Sequence, residues 1–173
     1  MDAVIDIVLK GGAYCTIAAG KRWIDQRRSG TVLCVLTQSA LVGAPFTTPS
    51  AMAKAGLLAM IRSLAVEWGP KGIRLVGVVP GPFPTEAAWS QLMPPERHGT
   101  SPEAGVALRR LGRHHELADL CTFLVSENAG FITGEAVVID GGKMLQGAAG
   151  TSAATMQGWP DSVWESIRQR GRE

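Results

Sequence analysis

Hydrophobic positions along the chain alternate between stretches with a helical repeat and short, unbroken apolar runs. Ile5, Leu9, Tyr14, Ile17, Trp23 and Ile24 recur at helical spacing, and a basic cluster from Lys21 to Arg28 suits a helix C-terminus. One long helix is therefore predicted over residues 2–28, closed by Gly30. Residues 31–37, TVLCVLT, form a continuous apolar run of strand length, as expected of a parallel strand covered on both faces. A second helix is predicted over Ser50–Trp68, with a stop at Gly69–Pro70. Its charges are confined to Lys54, Arg62 and Glu67, so it must be covered on more than one side. IRLVGVV (73–79) reads as another buried strand, ended by Pro80–Gly81. A polar, proline-rich loop (86–105), a helix (His115–Ser126) and a strand (AVVID, 136–140) follow, and Gly141–Gly142 close the fold.

Helix, strand, helix, strand, loop, helix, strand is the order of the second half of a doubly wound parallel α/β sheet. Residues 1–146 form this partial Rossmann-like domain. Residues 147–158, GAAGTSAATMQG, are a flexible linker by composition. Residues 159–173 are a short amphipathic tail carrying Trp159 and Trp164.

Composition narrows the class. At 46% hydrophobic and 18% charged, the 173 residues are too apolar for a disordered chain. A formal net charge of +2 gives no reason to expect nucleic acid or a membrane surface as partner. Cys15, Cys34 and Cys121 lie far apart in apolar surroundings without CxxC spacing, which suits buried free thiols in a reducing cytoplasm; one disulfide plus an odd thiol is the alternative. No signal peptide is read at the start, and the longest apolar run is too short to cross a bilayer. His114, His115 and Cys121 lack the spacing of a closed metal site, and AAGKR (18–22) fails as a phosphate loop.

Candidate chemistry sits at strand ends. PSAMAKAG (49–56) places Ser50 one helical turn before Lys54, in a run otherwise small and apolar. A buried ammonium is costly unless paired, so the lysine either reaches solvent along its stem or is kept for chemistry. Ser50 could equally cap the helix N-terminus. TQS (37–39) follows one buried strand and PGPFPT (80–85) the next, where ligands of open α/β sheets bind. Both segments also read as ordinary strand-end residues and a proline-stiffened turn.

In this order, TQS, S-x-x-x-K and PGPFPT resemble the short-chain dehydrogenase/reductase family over residues ~4–145. PSAMAKAG, SLAVEWG, PGP, LGR, ITG and DGG look most like its 2,4-dienoyl-CoA reductase branch. The resemblance implies an NAD(P)H-dependent oxidoreductase, with NADPH favoured, acting on an acyl-CoA thioester of fatty acid metabolism. It implies Lys54, Ser50, Ser39 and Thr37 as catalytic residues. It implies Lys54, Pro80, Gly81, Pro82, Phe83 and Thr85 as cofactor-binding residues, and no metal.

The family's usual tyrosine falls at Ser50 and its usual serine at Thr37; the branch's own tyrosine falls at Ser39. Reduction of a ketone makes an alkoxide and needs an acid delivered nearly in step, for which serine is far weaker than tyrosine. Reduction of a conjugated dienoyl thioester makes a delocalised enolate, for which hydrogen-bond donors suffice. The absent tyrosine therefore favours an enoyl or dienoyl substrate over a carbonyl.

The resemblance covers only the C-terminal half of the fold. The glycine-rich turn for the pyrophosphate and the residue choosing NAD or NADP are not found in the sequence. Expected partners are a chain supplying the N-terminal half, or copies of the same chain packed through the two apolar helices, which form a four-helix interface in intact relatives. Alternatives are a truncated or degenerate homologue without catalysis, and a carbonyl reductase using Thr37.

Overall fold

The computed structural model describes residues 1–85, 102–146, 156 and 158–170. Its first helix, α1 (Asp2–Asp25), runs unbroken through a π-helical stretch at Ile5–Lys10. It does not extend to Gly30. The Arg28 N–H donates to the Trp23 carbonyl at 2.9 Å and the Arg27 N–H to that of Ile24 at 3.0 Å. With Arg27 at φ 52, this is a Schellman closure whose left-handed position is held by arginine instead of glycine. Gly30 instead opens β1 (Gly30–Val35).

After β1 come α2 (Ser39–Val42), α3 (Thr48–Trp68), β2 (Ile73–Pro80), α4 (His114–Val125), β3 (Ala136–Ile139), α5 (Lys143–Gln146) and α6 (Asp161–Arg170). Helix α3 begins two residues ahead of expectation because Pro49 occupies its first turn, where a missing N–H costs nothing. Ser50 is thus inside the helix, and Thr47 takes the N-cap position. Of the loop expected over 86–105, residues 86–101 lie outside the described residues; Pro102–Gly105 form a 3-10 turn. Of the expected linker, 147–155 and 157 lie outside them too.

The three strands form one parallel sheet in the order β1-β2-β3, with Gly30 opposite Ile73 and Gly77 opposite Ala136. Alternate residues of β2 serve opposite faces. Ile73, Leu75 and Val79 pack in the cluster that holds Leu57, Leu58, Ile61 and Trp68 of α3; Val76 and Val78 pack with Leu124 of α4. This two-sided burial is why the strand reads as an unbroken apolar run. Among the described residues β1 has a strand partner on one side only.

The chain divides into two compact units, Met1–Phe83 with Gly112–Asp140, and Pro84–Leu111 with Gly141–Glu173. The sheet and α1 to α4 belong to the first. In the second, the Leu108 N–H donates to the Gly141 carbonyl at 3.1 Å, and the rings of Trp159 and Trp164 stand 5.3 Å apart.

Helix α1 carries Gly12, Thr16 and Gly20 at four-residue spacing, and Thr16 and Gly20 are buried. A Cβ on Gly20 would fall 2.2 Å from the Trp68 ring of α3, so the absent side chain is what admits the indole. By length and composition alone, Asp2–Asp25 could cross a membrane, with a mean hydropathy of 1.4 in its most apolar window. Uninterrupted apolar runs do not reveal this, because the average is carried by Ile, Val, Leu and Ala residues interrupted by polar ones along the whole helix. Part of that apolarity is used against α3, where Leu9 meets Gly56 and Gly12 meets Leu57.

One cation organises the opposite end of the sheet. The Arg74 guanidinium donates to the carbonyls of Ile132, Leu124 and Ser126 at 3.0, 3.1 and 3.0 Å. Leu124 lies in the last turn of α4 and Ser126 just beyond it, so a positive charge closes the negative end of that helix. Arg74→Met leaves these carbonyls without their donor. Its expected cost is about 1.5–3 kcal/mol of stability, read from the urea midpoint.

Candidate active site

The C-terminal ends of β1 and β2, with the first turns of α3, bring most of the predicted residues into the first unit. Helix α3 starts beside the end of β1, so Ser50 and Lys54 share a face one turn apart. The Lys54 ammonium does not reach away into solvent. Its Nζ donates to the Val35 carbonyl at 2.6 Å, at the last residue of β1. Partial burial lowers the lysine's pKa from its ordinary value, and the nearby Cys34 thiol opposes that shift when ionised. Burial raises the Cys34 thiol's pKa in turn, and Lys54 opposes it.

Between the lowered folded-state pKa of Lys54 and the ordinary lysine value, the unfolded chain holds a proton that the folded chain has released. Stability contributed by this group therefore rises with pH across that window. Below the folded-state pKa the ammonium is charged in both states and its burial penalty is constant. The half-buried Cys34 thiol, raised above its ordinary value, contributes a fall with pH in the same alkaline range, so the effect of Lys54 is read as a difference. Lys54→Met is expected to remove a rising component, measured as urea midpoints of parent and variant at a series of pH values.

Beyond β1 the chain turns into α2. The Thr37 and Ser39 hydroxyl oxygens stand 2.7 Å apart, and the Ser39 N–H donates to Thr37 Oγ1 at 3.1 Å. Two hydroxyls sharing one bond spend one proton between them. The other O–H is left to offer to a ligand, whichever residue carries it. Gln38 Nε2 donates to Asp140 Oδ2 at 2.6 Å, spanning the end of β2 to reach the residue after β3.

At the end of β2, Gly81 meets Asp140 so closely that a Cβ would lie 2.6 Å from the Asp140 Cα. No side chain other than hydrogen fits. The Gly81 N–H donates to Ile139 at 2.9 Å, and the Pro82 carbonyl accepts from Gly112 at 3.0 Å. Pro80 to Phe83 are thus held at the strand end, while Thr85 belongs to the second unit. Ser50 is half-buried, and no hydrogen bond of its hydroxyl is found among the described residues.

These residues fit the nicotinamide end of a dinucleotide. A half-buried lysine has spent one of its three N–H groups on Val35, leaving two for sugar hydroxyls. The tight Gly81 turn presents backbone near the strand ends. Gln38, Asp140 and Cys34 were missed by sequence reasoning. The first two meet only across a strand that separates them by 102 positions in sequence, and Cys34 looks like any small strand residue.

Residues 1–143 match the family model described as enoyl-(acyl carrier protein) reductase. A Bacillus subtilis protein named probable 2,4-dienoyl-CoA reductase is 40% identical over 144 residues, 83% of this chain and 57% of that protein. A Caenorhabditis elegans protein named probable 2,4-dienoyl-CoA reductase is 36% identical over 174 residues, 98% of this chain and 56% of that protein. Among solved structures, a short chain dehydrogenase from Bacillus anthracis superposes with a TM-score of 0.71 at 38% identity, covering 83% of this chain and 54% of that one. The chain spans about half the length of the relatives it matches.

Proposed function

We propose a function from one premise: the chain belongs to the short-chain dehydrogenase/reductase family of NAD(P)-dependent oxidoreductases. It is the catalytic half of an enzyme that reduces a conjugated enoyl- or dienoyl-CoA thioester, with NADPH favoured as reductant. The observation that carries this reading is Lys54 turned in to the end of β1, with serine and not tyrosine one turn before it.

A bound reduced nicotinamide supplies the hydride. The residues of this chain hold and polarise what accepts it. Lys54 binds the ribose hydroxyls through its two remaining N–H groups and brings positive charge towards the thioester oxygen. Ser50, one turn away, donates a hydrogen bond to that oxygen as enolate charge develops, and the spare proton of the Thr37–Ser39 pair assists. The backbone of Pro80 to Phe83 lines the nicotinamide side. A carbonyl reductase reading lacks its acid, since the only tyrosine, Tyr14, lies in α1.

The chain works beside others. A segment carrying the N-terminal half supplies the pyrophosphate turn, and copies pair through α1 and α3, where Ile7, Tyr14, Met52 and Val66 are exposed. Contrary to expectation none of the three thiols is buried, Cys15 being exposed and Cys34 and Cys121 half-buried; all three being free supports a reducing cytoplasm as the setting. A second reading is a homologue without catalysis, which Ser50 in place of the family's usual tyrosine favours.

Nicotinamide fluorescence tests the proposal. NADPH is titrated into the chain alone and into the chain co-expressed with an N-terminal half, then a dienoyl-CoA is added. Saturable binding with the half present, followed by loss of the reduced signal, is the expected result. No binding in either arm leaves the non-catalytic reading.

A further inference from the structure

We propose that Gln38 and Asp140 are positioning residues: their hydrogen bond fixes the turn after β1 and so aims the Thr37–Ser39 hydroxyl pair. The use of that pair rests on the proposed reaction; the hold on the turn does not. Gln38 Nε2 donates to Asp140 Oδ2 at 2.6 Å, across 102 positions of sequence. An amide on a carboxylate makes a charge-assisted bond, stronger than one between neutral groups.

The turn needs an anchor. The Leu36 N–H donates to the Val78 carbonyl at 2.8 Å, and beyond it residues 37–43 make no backbone bond to another strand among the described residues. Helix α2 is a single turn, held by bonds from the Ala40 N–H to Thr37, the Leu41 N–H to Gln38 and the Gly43 N–H to Ser39 at 3.0, 2.9 and 3.0 Å. One turn alone is unstable, because fixing its dihedrals costs more than so few bonds contribute. It lies against α3, yet none of its residues is buried. Among the described residues, the Gln38 bond is the one side-chain hydrogen bond from residues 37–43 to another part of the chain.

Asp140 is a firm point to hold. It follows β3 directly, and Gly81 after β2 packs on it so tightly that an added Cβ would lie 2.6 Å from the Asp140 Cα. The Gly81 N–H also donates to the Ile139 carbonyl at 2.9 Å. The ends of β2 and β3 are thus joined, and the glutamine hooks the end of β1 onto both. Gln38 stands between the two hydroxyl residues in sequence. Thr37 and Ser39 are bonded to each other, so their mutual distance is set within the turn. Their direction relative to Ser50 and Lys54 on α3 is set by how the turn is hung. Groups displaced by about 1 Å from a reacting geometry lose up to about 100-fold in rate. Gln38 and Asp140 act through the hydroxyls and not on the substrate.

Reversing the polarity of the bond tests it. Gln38→Met keeps the length and loses the donor, and Gln38→Glu sets two carboxylates against each other. Gln38→Glu with Asp140→Asn restores one bond with donor and acceptor exchanged. In the full chain, hydrogen exchange at the Ala40, Leu41 and Gly43 amides is expected to quicken by about tenfold or more in both single variants. It is expected to return to the parent rate in the double variant, while the β2 amides stay slow throughout. Rates unchanged by Gln38→Met, or a double variant as fast as Gln38→Glu, overturn the hold. In the NADPH and dienoyl-CoA assay, Gln38→Met is expected to lower kcat by about tenfold and to change the KM for NADPH by less than about twofold, with recovery in the double variant. An unchanged kcat in Gln38→Met overturns the positioning role. A parent without turnover fails the proposed reaction instead, and the exchange rates still decide whether the bond holds the turn.

Discussion

Lys54→Ala, in the enzyme completed by its N-terminal half, is expected to lower turnover of a dienoyl-CoA by roughly 100- to 1,000-fold, as when one positioned donor is lost from a developing oxyanion. The ammonium is the one cation held at the end of β1 by a bond to strand backbone among the described residues. In the proposed mechanism, alanine removes both the grip of Lys54 on the ribose and its charge near the thioester oxygen. The fold is expected to persist, because the side chain is half-buried and gives up a single hydrogen bond, worth about 1–3 kcal/mol with a charged donor. Far-ultraviolet circular dichroism and steady-state kinetics on the same preparation separate the two effects. Lys54→Arg is a harsher test than its charge suggests, since a planar guanidinium cannot occupy the compact position of an ammonium. Turnover within a factor of a few of the parent in the alanine variant would remove Lys54 from the chemistry.

Trp68→Ala is expected to cost about 3–5 kcal/mol of stability, the range for emptying a buried aromatic site. Trp68 is 7% exposed and closes the end of α3 against α1. The indole fits only because position 20 is glycine, with 2.2 Å between an added Cβ and the ring. Gly20→Ala by itself should therefore cost about 1–3 kcal/mol through overpacking. The two changes should not add. With the indole gone, a methyl on residue 20 enters the space it left, so the double variant should be more stable than the sum of single losses requires. Urea midpoints of the four proteins measure this coupling. Strict additivity would mean that the two residues do not meet.

The sheet was legible because burial on both faces leaves a plain signature. TVLCVLT and IRLVGVV contain almost nothing polar, and each proved to be a parallel strand. Helix ends were less legible. Gly30 reads as a stop, but the helix closes at Arg27 through two local backbone bonds, where the left-handed conformation is costly and no side chain announces it. At α3 the sequence does carry the signal, since Pro49 marks a first helical turn better than Ser50 does.

The candidate site divides in the same way. Ser50 and Lys54 could be paired from spacing, and Thr37 with Ser39, because helix and turn geometry are local. The Val35 carbonyl as partner of Lys54, the bond from Gln38 to Asp140 and the hold of Arg74 on α4 depend on strand register. Nothing in a linear sequence states which backbone oxygens an edge leaves open. Gly81 stands between these cases. It was visible as a turn residue, but its need for a bare Cα follows only from the approach of Asp140.

The central claim is that a serine–lysine pair without tyrosine serves an enolate and not an alkoxide. Paired assays of the completed enzyme, with a 2,4-dienoyl-CoA and a 3-ketoacyl-CoA of equal chain length and NADPH consumption followed for each, address it most directly. The account predicts oxidation of NADPH with the dienoyl thioester and none above background with the ketone; reduction of the ketone at a comparable or greater rate would contradict it.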